Sequence, residues 1–252
     1  CAQLQRVGQP LQGGGDVMEG NMISNMPEVG LILAVDGPSG TGKSTTCRAL
    51  AKRLDAKYVD TGAMYRVATL AVLRAGIDPA DTDAVIKTTT DLPLEVSDDP
   101  DSKQVLFDGE DVSRVIREDE VTRNVSAVSA VPEVRQNLVE LQRKLARDAH
   151  RAIVEGRDIG TVVLADAPAK AFMTASAQVR AQRRHDQNLA AGLESDFATV
   201  LADVERRDAA DSSRATSPLR PAEDATLVDT SFMSLEEVLD ALTEIVKESA
   251  HV

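Results

Sequence analysis

The run Gly37-Pro38-Ser39-Gly40-Thr41-Gly42-Lys43-Ser44 fits the spacing G-x-x-x-x-G-K-[ST] and directly follows the apolar stretch Leu31-Ile32-Leu33-Ala34-Val35-Asp36. Residues of these types at this spacing make a phosphate cradle. Glycine lets the backbone turn its N–H groups inward around an anion, and a helix beginning at the loop's end offers its positive pole to the same charge. Lys43 adds a point charge for β- and γ-phosphates, and the Ser44 hydroxyl suits Mg²⁺. The expected ATP-contacting stretch is Gly37, Pro38, Ser39, Gly40, Thr41, Gly42, Lys43, Ser44 and Thr45. A glycine turn beside a surface lysine is the bland alternative. The β-branched strand before the loop and the helical apolar spacing of Thr45 to Leu54 behind it argue against that.

In an open α/β sheet, charged residues just past the strand ends face the ligand crevice. Asp36, Asp60-Thr61, Arg66 and Glu155-Gly156-Arg157-Asp158 all have that placement. A carboxylate beside a phosphate is repelled unless a metal or arginine intervenes. Asp36 or Glu155 is therefore a candidate to orient the water shell of a cation at Ser44, the alternative being a helix cap or an arginine pair. Arg157 and Arg66 follow strand-end turns, and a planar guanidinium grips phosphate bidentately, the alternative for each being a surface charge. Arg180, Arg183 and Arg184 span one helix face; they read equally as a mobile arginine clamp or as a solvated basic surface.

The elements that must hold these groups alternate. After the first strand and helix, Ala56–Asp60 reads as a strand and Ala63 to Ala75 as a helix stopped by Gly76 and Pro79; Asp81 and Thr82 then cap a short helix through Ile86. Leu92–Val96 and Gln104–Phe107 flank a turn-rich segment and read as a β-hairpin, with Asp108-Gly109 turning the chain beyond it. Helical spacing returns from Val112 to His150, where Val134, Leu138, Leu141 and Leu145 form a core stripe. Arg151–Val154, Lys170–Thr174 and Ala225–Asp229 are further strands. A last helix opens on the capping box Ser234…Glu237 and turns Leu235, Val238, Leu239, Leu242, Ile245 and Val246 inward. Five strands separated mostly by helices predict a three-layer α/β core with a parallel sheet.

Composition bounds the rest. A chain of 252 residues can bury a sizeable core, and its formal charge of −13 predicts a protein that repels nucleic acid overall. Cys1 and Cys47 are too few for a disulfide framework or a zinc site, which predicts a reducing cytoplasm, with Cys47 a packed helix residue. No window is apolar enough to span a membrane. Residues 1–28, rich in Gln, Gly and Asn, read as a disordered leader with no chemistry assigned to it.

Taken in order, five motifs resemble those of the bacterial cytidylate kinases, within the nucleoside monophosphate kinases. They are Asp36–Ser44, Asp60–Arg66, Asp108–Val112, Glu155–Thr161 and the segment from Arg207-Asp208 to Arg214. The resemblance runs from Leu31 to Val246 and implies a P-loop kinase domain over 29–252. It also implies an inserted nucleoside-monophosphate lobe at about 84–150 and a helical lid at about 177–194. The implied reaction is transfer of a phosphoryl group from ATP to CMP or dCMP, with UMP poor and Mg²⁺ held at Ser44. The implied catalytic set is Lys43, Arg157, Arg180, Arg184 and Arg214. Arg66, Arg157 and Arg214 would grip the CMP phosphate, with Thr61 beside them; Ser126, Arg135 and Asp158 would read cytosine; Asp211, supported by Arg207, would bind the sugar hydroxyls. A monomer is implied. Two departures stand out: Ala210 where some relatives carry arginine, and Thr61 where serine is common. A GTPase-type switch lacks its Asn-Lys-x-Asp motif here, and a shikimate-type kinase would share the loop without the five ordered motifs.

Overall fold

The computed structural model describes residues 30–249, so the leader expected at 1–28 lies outside the described residues. The chain runs β1 (Leu31–Asp36), α1 (Lys43–Arg53), β2 (Lys57–Asp60), α2 (Thr61–Arg74), α3 (Thr82–Thr89), β3 (Leu94–Val96), β4 (Val105–Phe107) and β5 (Glu110–Asp111). It continues through α4 (Asp119–Ala130), α5 (Pro132–Asp148), β6 (Arg151–Glu155), β7 (Ala169–Thr174), α6 (Ala177–Ala190), α7 (Phe197–Ser212), β8 (Thr226–Asp229) and α8 (Leu235–Ser249). Five strands form one parallel sheet in the order β2-β6-β1-β7-β8.

Side chains alternate across a strand, so β1 serves two layers at once. Leu31, Leu33 and Val35 pack with Cys47, Leu50 and Leu54 of α1 and Val238, Leu239, Leu242 and Val246 of α8. Ala34 packs on the opposite face with Met64, Ala68 and Val72 of α2 and Val134 and Leu138 of α5. This is the three-layer P-loop kinase fold, with helices on both faces of a parallel sheet. Register does the rest: Glu155 pairs with Val35 on one side and Asp60 on the other, bringing the carboxyl ends of β6, β1 and β2 to one edge.

Between α2 and β6 the chain leaves the sheet. The expected hairpin gains a third strand, β5, making an antiparallel meander β3-β4-β5 that shares an apolar cluster with α2 through Val105, Val112, Val67 and Leu70. Two residues of strand, Glu110–Asp111, are too short to leave a period-2 signal. The helical stretch expected over 112–150 is broken. Pro132 has no N–H to donate, so the chain restarts there with proline at the first position of α5. The meander's turn docks back on the core: the Tyr58 amide donates to the Asp98 carbonyl at 2.8 Å. At the other end, Glu237 accepts from the Ser234 amide at 2.7 Å and the Glu237 amide donates to Ser234 Oγ at 3.3 Å, the expected capping box. Leu235 falls outside the predicted apolar face and is 44% exposed.

Candidate active site

The phosphate loop is held in a backbone shape that only glycine adopts cheaply. Gly37, Gly40 and Gly42 have φ of 141°, 85° and 95°, and a Cβ on Gly37 would lie 1.9 Å from the Met173 carbonyl oxygen of β7. Gly37→Ala must push the loop off β7. It should lower the melting temperature by about 5–10 °C and abolish ATP binding, read by calorimetry with and without nucleotide. Lys43 bends back over its own loop, its Nζ donating to the carbonyls of Gly37 at 2.6 Å and Pro38 at 2.8 Å. Burial, then the nearby Arg157 guanidinium, pull its pKa down to about 7.

The two carboxylates considered for a metal separate cleanly. Asp36 accepts the amides of Ile159 and Gly160, each at 2.8 Å, and so caps the backward turn after β6; burial raises its pKa to about 6 despite those bonds. Glu155 instead faces the loop. Its Oε1 accepts from Ser44 Oγ and from the Tyr58 hydroxyl, both at 2.6 Å, and its buried Oε2 carries no protein hydrogen bond. Burial, followed by the neighbouring Asp60, raises the Glu155 pKa. Among the described residues no group of three or more His, Cys, Asp or Glu could cage a metal unaided. Ser44 Oγ and a lone carboxylate oxygen are hard donors. They fit Mg²⁺, which is commonly bound through one or two protein oxygens plus nucleotide phosphates and water.

Across from the loop stands a basic cluster. Arg66 on α2, Arg157 after β6 and Arg207 on α7 lie together, close enough for Arg157 to disfavour charge on the other two. Burial first, then these neighbours, lower Arg66 and Arg207 to about 10. A phosphate relieves that repulsion. Arg66 is aimed by the Ile116 carbonyl at 2.8 Å and Thr122 Oγ1 at 2.9 Å, and Arg207 Nη1 reaches Ser39 Oγ of the phosphate loop at 3.4 Å. Asp211 ties the cluster together. It accepts from Arg157 Nε at 3.2 Å, from Arg214 Nη2 and from Ser126 Oγ at 3.3 Å. Burial works to raise its pKa, but Arg157, Arg214 and Arg207 hold it below the ordinary carboxylate value.

Beside this cluster, Arg135 and Asp158 form an ion pair with side chains 5% and 4% exposed. Arg135 lies 5.1 Å over the Tyr65 ring and donates to the Ser129 carbonyl at 3.3 Å, which fixes its plane. Thus Ser126, Arg135, Arg157, Asp158, Arg207, Asp211 and Arg214, scattered over α4, α5, α7 and two loops, are brought to one place. Thr61 sits at the same edge, but its Oγ1 donates to the Glu155 carbonyl at 2.7 Å, so in this conformation its hydroxyl braces β6.

The three arginines of α6 divide. Arg180 is buried and committed: it pairs with Asp208 of α7, and donates to the carbonyls of Ala175 at 2.9 Å and Ser39 at 3.1 Å. Its Cβ lies 3.1 Å from where a Cβ on Gly40 would be, so Arg180 is here a brace under the phosphate loop rather than a free clamp. Arg183 donates to the Thr230 carbonyl at 2.6 Å. Arg184 is exposed and near enough to lower the Arg207 pKa, which is the clamp-like placement. Helical spacing made the three equivalent; the packing of α7 against α6 distinguishes them. Residues that sequence reading passed over include Asp208's role as brace partner and Tyr58. A tyrosine in a strand next to the phosphate loop carries a hydroxyl that usually finds a partner when the ring is buried, and Tyr58 was such a residue.

Residues 33–248 match the family model for cytidylate kinase. A cytidylate kinase of Corynebacterium glutamicum is 68% identical over 225 residues, covering 89% of this chain and 98% of that protein. A cytidylate kinase of Rhodococcus opacus is 60% identical over 222 residues, covering 88% of this chain and 97% of that protein.

Proposed function

The chain belongs to the cytidylate kinase family and is an enzyme of that kind, a kinase acting on CMP, and from that premise we propose that it transfers the γ-phosphoryl group of Mg²⁺-bound ATP to CMP and dCMP. The observation that carries this reading is the contact between Arg207 and Ser39, because it joins the basic cluster to the phosphate loop at 3.4 Å. Donor and acceptor phosphates bound at those two places would abut.

On this reading Lys43 and the loop amides hold the ATP phosphates, while Ser44 and Glu155 hold the metal, which would screen charge between the phosphates. Arg66, Arg157 and Arg214 bind the CMP phosphate, and Arg184 lies where it can close over the transferred group. The acceptor oxygen is already ionised near neutral pH, so no general base is needed. Alignment and charge compensation supply the rate. Asp158 accepts from the cytosine amine and Arg135 donates to its ring acceptors, while Ser126 and Asp211 face the base and sugar. Thr61 contributes to the acceptor side by bracing β6. The segment over 84–150 serves as the acceptor lobe and 177–194 as the lid, in a monomer working in the cytoplasm of pyrimidine nucleotide metabolism. No helix among the described residues is long and apolar enough to cross a membrane, and Cys47 is a buried free thiol, both of which suit that setting.

The experiment is a coupled ADP-formation assay with ATP against CMP, dCMP, UMP, AMP and shikimate. CMP and dCMP should release ADP at comparable rates, with UMP slower by about a hundredfold. Turnover with shikimate or AMP in place of CMP would overturn the acceptor assignment, and acceptor-independent ADP release would favour a nucleotide switch.

A further inference from the structure

Tyr58 is on the middle of β2, and its ring is part of the apolar cluster beneath α1 and α8. Its hydroxyl nevertheless leaves that cluster to donate to Glu155 Oε1 at 2.6 Å, the oxygen that also accepts from Ser44 Oγ at 2.6 Å. A serine hydroxyl has one proton and two lone pairs. With the proton directed to Glu155, the lone pairs of the exposed Ser44 are left for a cation. That arrangement requires the carboxylate to stay put. Glu155 is 4% exposed, and its other oxygen, Oε2, is buried without a protein partner. Besides Ser44, Tyr58 is the side chain that fixes its rotation.

Beyond its hydroxyl, Tyr58 is itself held at its ring and at its amide. The Arg48 guanidinium lies 4.3 Å over its ring, and Arg48 Nη1 donates to the Pro100 carbonyl at 3.3 Å and to the Ser102 carbonyl. The Tyr58 amide donates to Asp98 at 2.8 Å. Ring, carboxylate and serine therefore form a single rigid line running from the β3–β4 turn to the phosphate loop. The chemistry of a residue that touches a metal-site carboxylate and neither nucleotide is orientation.

We propose that Tyr58 is a positioning residue for the metal side of the donor site, holding the Glu155 carboxylate so that Ser44 presents its lone pairs to Mg²⁺ and Glu155 Oε2 stays free of protein bonds. The proposal rests on the reading of the loop as a Mg²⁺·ATP site. Tyr58→Phe removes the hydroxyl and keeps the ring that Arg48 covers, so its melting temperature should stay close to the parent's.

The test is ATP binding by titration calorimetry, without turnover, in excess Mg²⁺ and in EDTA, with CMP binding as a control. The parent should bind ATP more tightly with Mg²⁺ than without. Tyr58→Phe should lose about tenfold of that gain, while metal-free ATP and CMP affinities stay within about twofold of the parent. A double-mutant cycle with Ser44→Ala should be less than additive, because Ser44→Ala removes the ligand that Tyr58, through Glu155, holds in place. An undiminished Mg²⁺ gain in Tyr58→Phe, equal weakening of metal-free ATP and CMP, or strict additivity in the cycle would overturn the role. A parent chain whose ATP affinity ignores Mg²⁺ would instead sink the donor-site reading and the proposal with it.

Discussion

Lys43→Ala should lower turnover by about a hundred- to a thousandfold and leave the fold intact. The side chain is buried and its Nζ bonds two carbonyls of the loop, Gly37 and Pro38, so structural damage is the obvious objection. The titration of Lys43 answers it. Burial lowers its pKa from 10.5 to about 7, which means that the folded chain holds this charge at a cost. Below pH 7 the lysine is charged in both folded and unfolded chains and the cost is fully present. As pH rises from about 7 to 10.5, the unfolded chain binds more protons, and the parent's stability gains from this residue. Alanine removes both the cost and that rise. The variant should therefore melt within a few degrees of the parent near neutral pH and lack this rise in stability at alkaline pH.

The same shift makes a second readout for Lys43. Bound triphosphate favours the charged amine, so ATP binding at pH 8 should draw in close to one proton, about 0.9 if the free-state pKa is about 7. Calorimetry in buffers of different ionisation heat measures this directly. Parent and Lys43→Ala should differ by that proton. Near-normal turnover in the variant would refute Lys43 as the donor-site cation, whereas equal proton uptake in both would show that the amine is already charged in the free chain at pH 8.

How much of this was legible beforehand divides along a physical line. Local patterns reported themselves: the loop from Gly37 to Ser44, the strand of β1 and the capping box at Ser234 are all encoded by residues close in sequence. A parallel sheet and the convergence of Arg66 and Arg157 were reachable because residues just past strand ends share an edge in any such sheet; Arg207, inside α7, was placed only by the family resemblance. What stayed hidden depends on packing between distant elements. Asp36 and Glu155 look alike as acidic strand ends, and only the backward turn at Ile159 and Gly160 makes one a cap while the other meets Ser44. Arg180 and Arg184 look alike on a helix, and only α7, with Asp208, buries one of them. α7 itself went unassigned although Asp196 accepts from the Thr199 amide at 2.8 Å, an N-cap pattern present in the sequence.

Asp158 is the residue whose replacement should change what the enzyme accepts. Its carboxylate is an acceptor on both oxygens; Arg135 occupies Oδ2, and Oδ1 can accept a hydrogen bond from an exocyclic amine such as that of cytosine. Uracil presents a carbonyl there and would set two acceptors face to face, which is why UMP should be poor. Asp158→Ala should lower kcat/KM for CMP by about a hundredfold and shrink the CMP-over-UMP preference accordingly. It also strands Arg135, 4% exposed, without its counter-ion, and removing one partner of a buried pair costs about 3–5 kcal/mol. A loss of CMP activity alone could therefore come from instability. Asp158→Asn separates the two. The amide can still accept from Arg135 through its oxygen while turning its NH₂ toward the base, so it offers a donor to the uracil carbonyl and nothing to the cytosine amine. Parallel kinetics on CMP and UMP should show the preference reversed in Asp158→Asn at a melting temperature above that of Asp158→Ala. An Asn variant that keeps the parent's selectivity would remove Asp158 from base recognition and leave it as the counter-ion of Arg135.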